Sequence, residues 1–410
     1  MRLIYTLLAI ILISSTANSQ TWVQKLNGRS VWSLTKDDQG NIYAGGLTGA
    51  NSRIWRSSNG GDSWDTIYAG AGNTMWAIDF DDNGNIFVAN YSDGLLISTN
   101  GGANFTVLST TAFNSEKPQG VACGSNGYVF VSTSMGFFRS TNSGANFTQT
   151  GLTGLNVLPV LVDKDSSNIV YVGVSSGTGT GIGFYRSTDN GATFSANLNS
   201  GKNGYSLFQN TDGSLYMVTT TSPYNVDKST NKGLTWSTLG NALSATRGVT
   251  LDLAGNIYLT GNGGAYKSTN GGTSFTNFNL TGSCTPVLTY QNKILVGSIS
   301  GSIGVNIFTD STISGIEPGS ILPAGFSLGQ NYPNPFNPET NIKFSIPVAS
   351  DVMIILYDIS GREVKTLLNG YKNPGVYEIK INADGLSSGV YFYKMTANAS
   401  SEIRKMVVMK

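Results

Sequence analysis

Histidine is absent from the 410 residues, which removes imidazole bases, Ser-His and Cys-His nucleophile pairs and the commonest zinc ligand together. Charge is scarce. Asp, Glu, Lys and Arg make up 12% of the chain, against about 25% in ordinary globular domains. With a formal net charge of +1, the chain projects no field toward nucleic acid or an anionic membrane, so neither is expected as a partner. Over residues 20–310, Glu116 is the only glutamate. No oxygen ligands stand at calcium-loop spacing, so no metal and no cofactor are expected. Helical periodicity is missing beyond the first segment, and Cys123 and Cys284 are the only cysteines. What the chain has instead is 51 glycines, as short strands joined by tight turns require.

A phrase of the form S-x-[DN]-x-G-x-x-[WF] recurs six times, starting at Ser57, Ser98, Ser140, Ser187, Ser229 and Ser268, at intervals of 41, 42, 47, 42 and 39 residues. That period is expected for blades of a β-propeller. In each copy the Asn or Asp can accept backbone N–H groups two residues on, the Gly supplies a positive φ, and the closing aromatic starts a strand. The phrase therefore reads as a hairpin turn. A fainter repeat of inner-strand segments begins at Val31, Met75, Gln119, Pro159, Tyr205, Arg247 and Thr285, which implies seven blades. The last blade lacks a turn phrase, and residues 21–27 look like the strand that follows one. They are expected to pair with residues 285–310 and close the ring. Cys123 and Cys284 then fall in blades that are not neighbours, and two buried free thiols are expected.

The repeated phrase resembles the Asp-box of the BNR-repeat family, which includes sialidases and non-enzymatic propellers. The resemblance covers roughly residues 20–310, and it implies a structural turn away from the central pocket. A sialidase would need an arginine triad, a tyrosine nucleophile and its glutamate. Arg56, Arg139 and Arg186 are repeat features instead, and Arg29, Arg53 and Arg247 form no recognisable triad. A glycoside hydrolase acting through two carboxylates stays open as the alternative, with Asp93, Glu116 and Asp227 near loops of one face. Asp37, Asp38, Asp81 and Asp82 belong to a repeated inner turn. Some propellers with this repeat resemble photosystem stability factors, so an assembly role is a third reading.

Aligning the inner strands on Ile42, Ile86, Val129, Ile169, Leu215, Ile257 and Ile294 gives one ring of equivalent positions: Trp32, Trp76, Gln119, Pro159, Tyr205, Arg247 and Cys284. Blade packing alone would favour similar residues there, so the variation marks a candidate site. Trp32, Trp76, Gln119, Tyr205 and Arg247 are the expected ligand-binding residues, since Trp and Tyr suit sugar stacking or a protein hot spot. The tryptophans could equally fill gaps between blades. The loop at 175–183 is the longest insertion and a candidate rim.

Residues 1–19 read as a signal peptide: a basic Met1-Arg2, the apolar run Leu3 to Ile13, and the small-x-small site Ala17-Asn18-Ser19. The run is too short for a membrane anchor, and no transmembrane segment is expected in the mature chain. Residues 311–325 read as a Gly, Pro and Ser-rich linker. Residues 326–410 show alternating strands at Asn341, Val352, Gly375, Gly389 and Ile403, which fit a small immunoglobulin-like β-sandwich. The run Asn331-Tyr332-Pro333-Asn334-Pro335-Phe336-Asn337-Pro338, the segment Tyr357 to Val364, the segment Leu386 to Tyr393 and the basic, apolar ending Lys405 to Lys410 resemble the type A C-terminal sorting domain of the type IX secretion system. The resemblance implies the type IX machinery as a partner and delivery to the cell surface or the medium, whereas a plain adhesion module is the other reading of such a sandwich.

The sequence thus describes an all-β, exported chain, a seven-bladed β-propeller at 20–310 followed by a sorting domain at 326–410. Its expected role is non-catalytic binding of a glycan or protein. Deleting residues 326–410 should leave a folded propeller retained in the periplasm, and fusing residues 311–410 to an unrelated exported protein should send that protein to the surface or medium. Cell fractionation checks both; a truncated propeller that still reaches the surface refutes the sorting assignment.

Overall fold

The computed structural model describes residues 21–409 except 73, 177–180, 221–223, 241–244, 300–303, 311–325, 347–349, 373–374 and 398–399. The expected signal peptide at 1–19 and linker at 311–325 lie outside the described residues.

Seven antiparallel sheets follow one another along residues 23–309. The first blade joins Ser30–Lys36, Ile42–Thr48, Asn51–Ser57 and Asp65–Ala71 in sequence order. The same meander repeats over 75–108, 118–151, 204–238 and 246–280. Second strands are buried on both faces: Ile86–Asn90 and Val129–Thr133 have no exposed residue. The reason is that a blade lies between two others, so cores form at blade boundaries. Phe87 and Ala89 pack with Val129 and Val131 of the next blade, and Ile42 with Leu295 and Val305 across the closure.

The last blade takes Cys284–Tyr290, Lys293–Ser298 and Val305–Thr309, and its outer strand is Val23–Lys25 from the start of the propeller. Val23 pairs with Ile307, Gln24 with Asn306 and Lys25 with Val305. Beside this ladder Trp22 packs its ring 5.4 Å from those of Phe278 and Phe308, and its Nε1 donates to the Phe278 carbonyl at 2.7 Å. The expected closure is therefore present.

Each repeated turn is held by one buried hydroxyl. Ser187 Oγ donates to Asp189 Oδ1 at 2.7 Å and accepts the Gly191 N–H at 2.8 Å, while Asp189 Oδ1 accepts the Thr193 N–H at 2.9 Å. Burial alone would raise the Asp189 carboxyl, but the hydrogen bonds from Thr193, Ser187 and Ala192 hold it down at about 2. The other five copies repeat the serine bonds, and all six serines are buried. The inner turns are as regular: Asp37 and Asp81 each accept the N–H four residues on, from Asn41 at 2.8 Å and Asn85 at 2.9 Å.

The fourth blade departs from the four-stranded pattern of the other six. It contains Asn156–Val162, Val170–Ser176 and Gly183–Ser187 only. After its turn the chain makes two backbone bonds back, Ser195 N to Arg186 O at 2.8 Å and Leu198 N to Phe184 O at 2.9 Å. Ser195 Oγ meanwhile accepts the Arg186 N–H at 3.1 Å, taking the donor that an outer strand's carbonyl would have used.

The C-terminal unit is a sandwich. One sheet orders Ser327–Leu328, Glu339–Ile346 and Gly375–Asn382; the other orders Glu363–Lys372, Ser350–Tyr357, Gly389–Ala397 and Ser400–Val408. Its core includes Phe336, Ile342, Phe344, Ile354, Leu356 and Met406. Tyr393 Oη ties the entering chain down, donating to the Gly329 carbonyl at 2.7 Å and accepting the Asn331 N–H at 2.8 Å. The strand Glu363–Lys372 escaped the sequence reading because its pairing with Ser350–Tyr357 shifts register twice, which spoils the period-2 signal.

Gly191 has φ +71°, and a Cβ built there comes 3.0 Å from Phe137 Cε1 and 3.1 Å from Phe130 Cε1. Gly191→Val should therefore destabilise the protein by roughly 1–3 kcal/mol, read as a lower thermal midpoint; an unchanged melt refutes the turn's role.

Candidate functional site

The first strands of the blades surround the central channel, and their pairing explains how the ring residues reach it. Val31 pairs with Gly46 and Ser33 with Gly45, leaving Trp32 out of the ladder. Trp76 is skipped between Met75 and Ala77, and Gln119 between Pro118 and Gly120. Tyr205 and Arg247 are skipped in the same way. A one-residue β-bulge thus re-aims each side chain. In the fourth blade the bulge holds Leu158 and Pro159, and in the seventh Thr285 and Pro286.

In the seventh blade Thr285 and Pro286 therefore take the ring position, and the expectation of Cys284 there is corrected. Cys284 pairs with Ser298 and is fully buried. The hairpin after the first strand spans 291–292 in this blade against 37–41 in the first, so a constant offset from Ile294 overshoots. Both cysteines are free, Cys284 buried and Cys123 half-buried.

Trp32, Trp76, Gln119, Pro159, Tyr205, Arg247 and Pro286 all line one open cavity of about 330 Å³. The rings of Trp32 and Trp76 lie 5.3 Å apart at 56°. Trp76 also meets Tyr205, from the fifth blade, at 6.5 Å, and Tyr91 at 6.4 Å. Lys117 Nζ sits 4.7 Å from the Tyr91 ring centre. Arg247 is the sole charge on the lining among the described residues; its Nη1 donates to Ser283 Oγ at 3.1 Å. Burial raises the Tyr205 phenol, and the Arg247 charge opposes the shift.

Among the lining residues, Trp32 Nε1, Trp76 Nε1, Ser33 Oγ, Gln119 Oε1 and Thr285 Oγ1 are buried without a hydrogen-bond partner. Gln119 as a whole is only 7% exposed. Each such atom costs about 1–3 kcal/mol when left unmet. Among the described residues, no Asp or Glu lines the cavity. Asp93 accepts from Asn90 at 2.9 Å, Glu116 from Ser134 at 2.7 Å, and Asp227 from Thr238 at 2.7 Å. The rim loop at 175–183 lies outside the described residues over 177–180.

A second polar group, missed in the sequence, lies toward the other end of the same strands. Asp79, in Met75–Phe80, accepts the Cys123 N–H at 2.8 Å, and Lys164 Nζ donates to the Gln209 carbonyl at 2.8 Å. The available signal was a carboxylate interrupting the apolar segment Met75–Phe80. Burial pushes the Asp79 carboxyl up to about 6, against the lowering by the Cys123 and Phe80 N–H groups. Burial and the Lys36 charge lower Lys164.

Residues 330–409 match the family model described as the secretion system C-terminal sorting domain. That match indicates export by the type IX route and a secreted or cell-surface protein. Among the described residues, no helix is long and apolar enough to cross a membrane. No curated protein matches the chain. Among solved structures, YCF48 bound to D1 peptide is similar at 14% identity and TM-score 0.56, covering 71% of this chain and 97% of that one. The extracellular domain of the hybrid two-component system BT3049 from B. thetaiotaomicron is similar at 13% identity and TM-score 0.56, and this chain, covered to 95%, spans 57% of its length. The GH74 enzyme of Niastella koreensis is similar at 14% identity and TM-score 0.53, covering 94% of this chain and 73% of that one. At such identities the likeness is one of fold.

Because the folded Asp79 carboxyl titrates near 6 rather than at its ordinary 3.8, its ionisation destabilises the fold as pH rises from about 4 through 6. Asp79→Asn should therefore be more stable than wild type at pH 8, with the difference gone at and below the unfolded carboxyl's pKa. Denaturant unfolding at several pH values checks this; a pH-independent difference refutes it.

Proposed function

We infer that the protein is an exported propeller that binds a glycan or protein segment non-catalytically in the central cavity, delivered by its C-terminal domain through the type IX system. The repeated turns fit the Asp-box of BNR-repeat propellers, in which the box is a structural element, and the saturated hydroxyls of all six serines support that role here. The observation that carries the binding reading is the cavity itself: three aromatic rings, Trp32, Trp76 and Tyr205, beside Gln119 and Arg247, all on residues that bulges lift out of the ladder. Function written at the one position where the blades differ is consistent with a site that packing does not dictate.

The partners of the neighbours span a peptide on YCF48 and the enzymatic role of the GH74 protein, so neither class follows from fold. The glycoside-hydrolase alternative gains no support from a lining without carboxylates. Binding on indole faces should alter tryptophan emission. Titration with a panel of oligosaccharides and peptides should find a ligand whose affinity falls at least about tenfold in Trp32→Ala and Trp76→Ala, the scale of a lost aromatic anchor. Undiminished binding by both variants, or turnover of the bound ligand, overturns this reading.

A further inference from the structure

Resting on the binding role inferred above, we propose that the occupant of the cavity is an acidic oligosaccharide, with its carboxylate on Arg247 and a sugar ring against Trp76. Three observations converge on that chemistry.

The first is charge. Among the described residues, Arg247 is the only ionised side chain on the lining and joins none of the ion pairs. Ser283, a neutral hydroxyl, is its hydrogen-bond partner. A guanidinium carries five donors in a fork that matches a carboxylate with two parallel bonds. In a partly enclosed site such a pair is roughly twice as strong as a neutral hydrogen bond. A neutral occupant would displace water from this cation and return only uncharged acceptors in its place.

The second is the mixture of lining groups. Gln119, Tyr205, Arg247 and Thr285 set donors and acceptors among the aromatic rings of the same lining, and a polyhydroxylated ring presents both around its whole edge. A simple anion would use none of the aromatic surface. A peptide ending in a carboxylate would satisfy Arg247 but would bring few hydroxyls to the remainder.

The third is shape. Trp32, Trp76 and Tyr205 assemble flat apolar surface from three different blades, suited to the C–H face of a pyranose. The cavity of about 330 Å³ is at the small end of ligand pockets, which fits a short saccharide. Past Trp76, Tyr91 carries Lys117 over its ring, so a second acidic unit leaving the cavity on that side would meet positive charge again.

Calorimetric titration of the whole chain tests this with short oligomers of galacturonate, glucuronate and guluronate, the methyl esters of each, a neutral cello-oligosaccharide, and a peptide with a free or amidated C-terminus. At least one carboxylated saccharide should bind. Esterification and Arg247→Gln should each weaken it at least about tenfold, the loss of one charge-assisted pair. Arg247→Lys should restore part of the affinity, and added salt should weaken wild type more than Arg247→Gln. A neutral saccharide bound equally by wild type and Arg247→Gln overturns the acidic specificity while leaving the binding role intact. Binding of the free-carboxylate peptide and of no saccharide overturns the ligand class alone. If protein with an unaltered circular dichroism spectrum and melt binds none of the probes, this proposal is overturned and the glycan branch of the binding role with it.

Discussion

Three residue pairs between Val23–Lys25 and Val305–Thr309 close the ring, and the rest of the propeller depends on that closure. A blade buries both faces of its middle strands only while it has a neighbour on each side. An open array would leave the first blade's core, Val31 and Ile42 among it, without Leu295 and Val305, and would expose a strand edge to other chains. Closure also brings the seven first strands around one axis. The cavity exists because those strands cannot converge any further.

Within that frame the bulges separate two demands on one strand. Residues on either side of each bulge keep the ladder and the interblade cores; the bulged residue belongs to neither and is free to differ from blade to blade. Trp32, Trp76, Gln119, Tyr205 and Arg247 occupy positions of this kind, whereas the serine turns at the outer strands hardly vary. Glycines make room for it: a Cβ at Gly173 would lie 2.8 Å from Pro159 Cγ, and one at Gly297 would lie 2.5 Å from Pro286 Cγ. The wide bulges of the fourth and seventh blades therefore depend on glycine opposite them.

The sorting sandwich has a core of its own, from Leu328 to Val408, and none of the propeller's buried residues belongs to it. Each unit is thus self-sufficient in apolar burial. Its entry is anchored by the Tyr393 hydroxyl and by Asn331, whose Nδ2 donates to Thr340 Oγ1 at 3.0 Å. The polar residues of the Asn331 to Pro338 run therefore contribute to structure as well as to any recognition.

The sequence by itself determined the blade count, the turn at each repeat, the closing strand and the place of the second domain. All of these are local: a serine, an Asx and a glycine within five residues specify a turn through their own hydrogen bonds, and a period near 42 counts the blades. Only the tertiary structure decided which residue faces the channel in the seventh blade, whether the fourth blade has an outer strand, and that Glu363–Lys372 is a strand at all. Those outcomes rest on register, and register is a property of two paired strands, shifted by a shorter hairpin at 291–292, by the Ser195 hydroxyl or by a bulge beside Ile354. The meeting of Trp76 with Tyr205, and the setting of Arg247 in a lining without carboxylates, are likewise unreadable along the chain, because closure alone brings the second, fifth and sixth blades to one cavity.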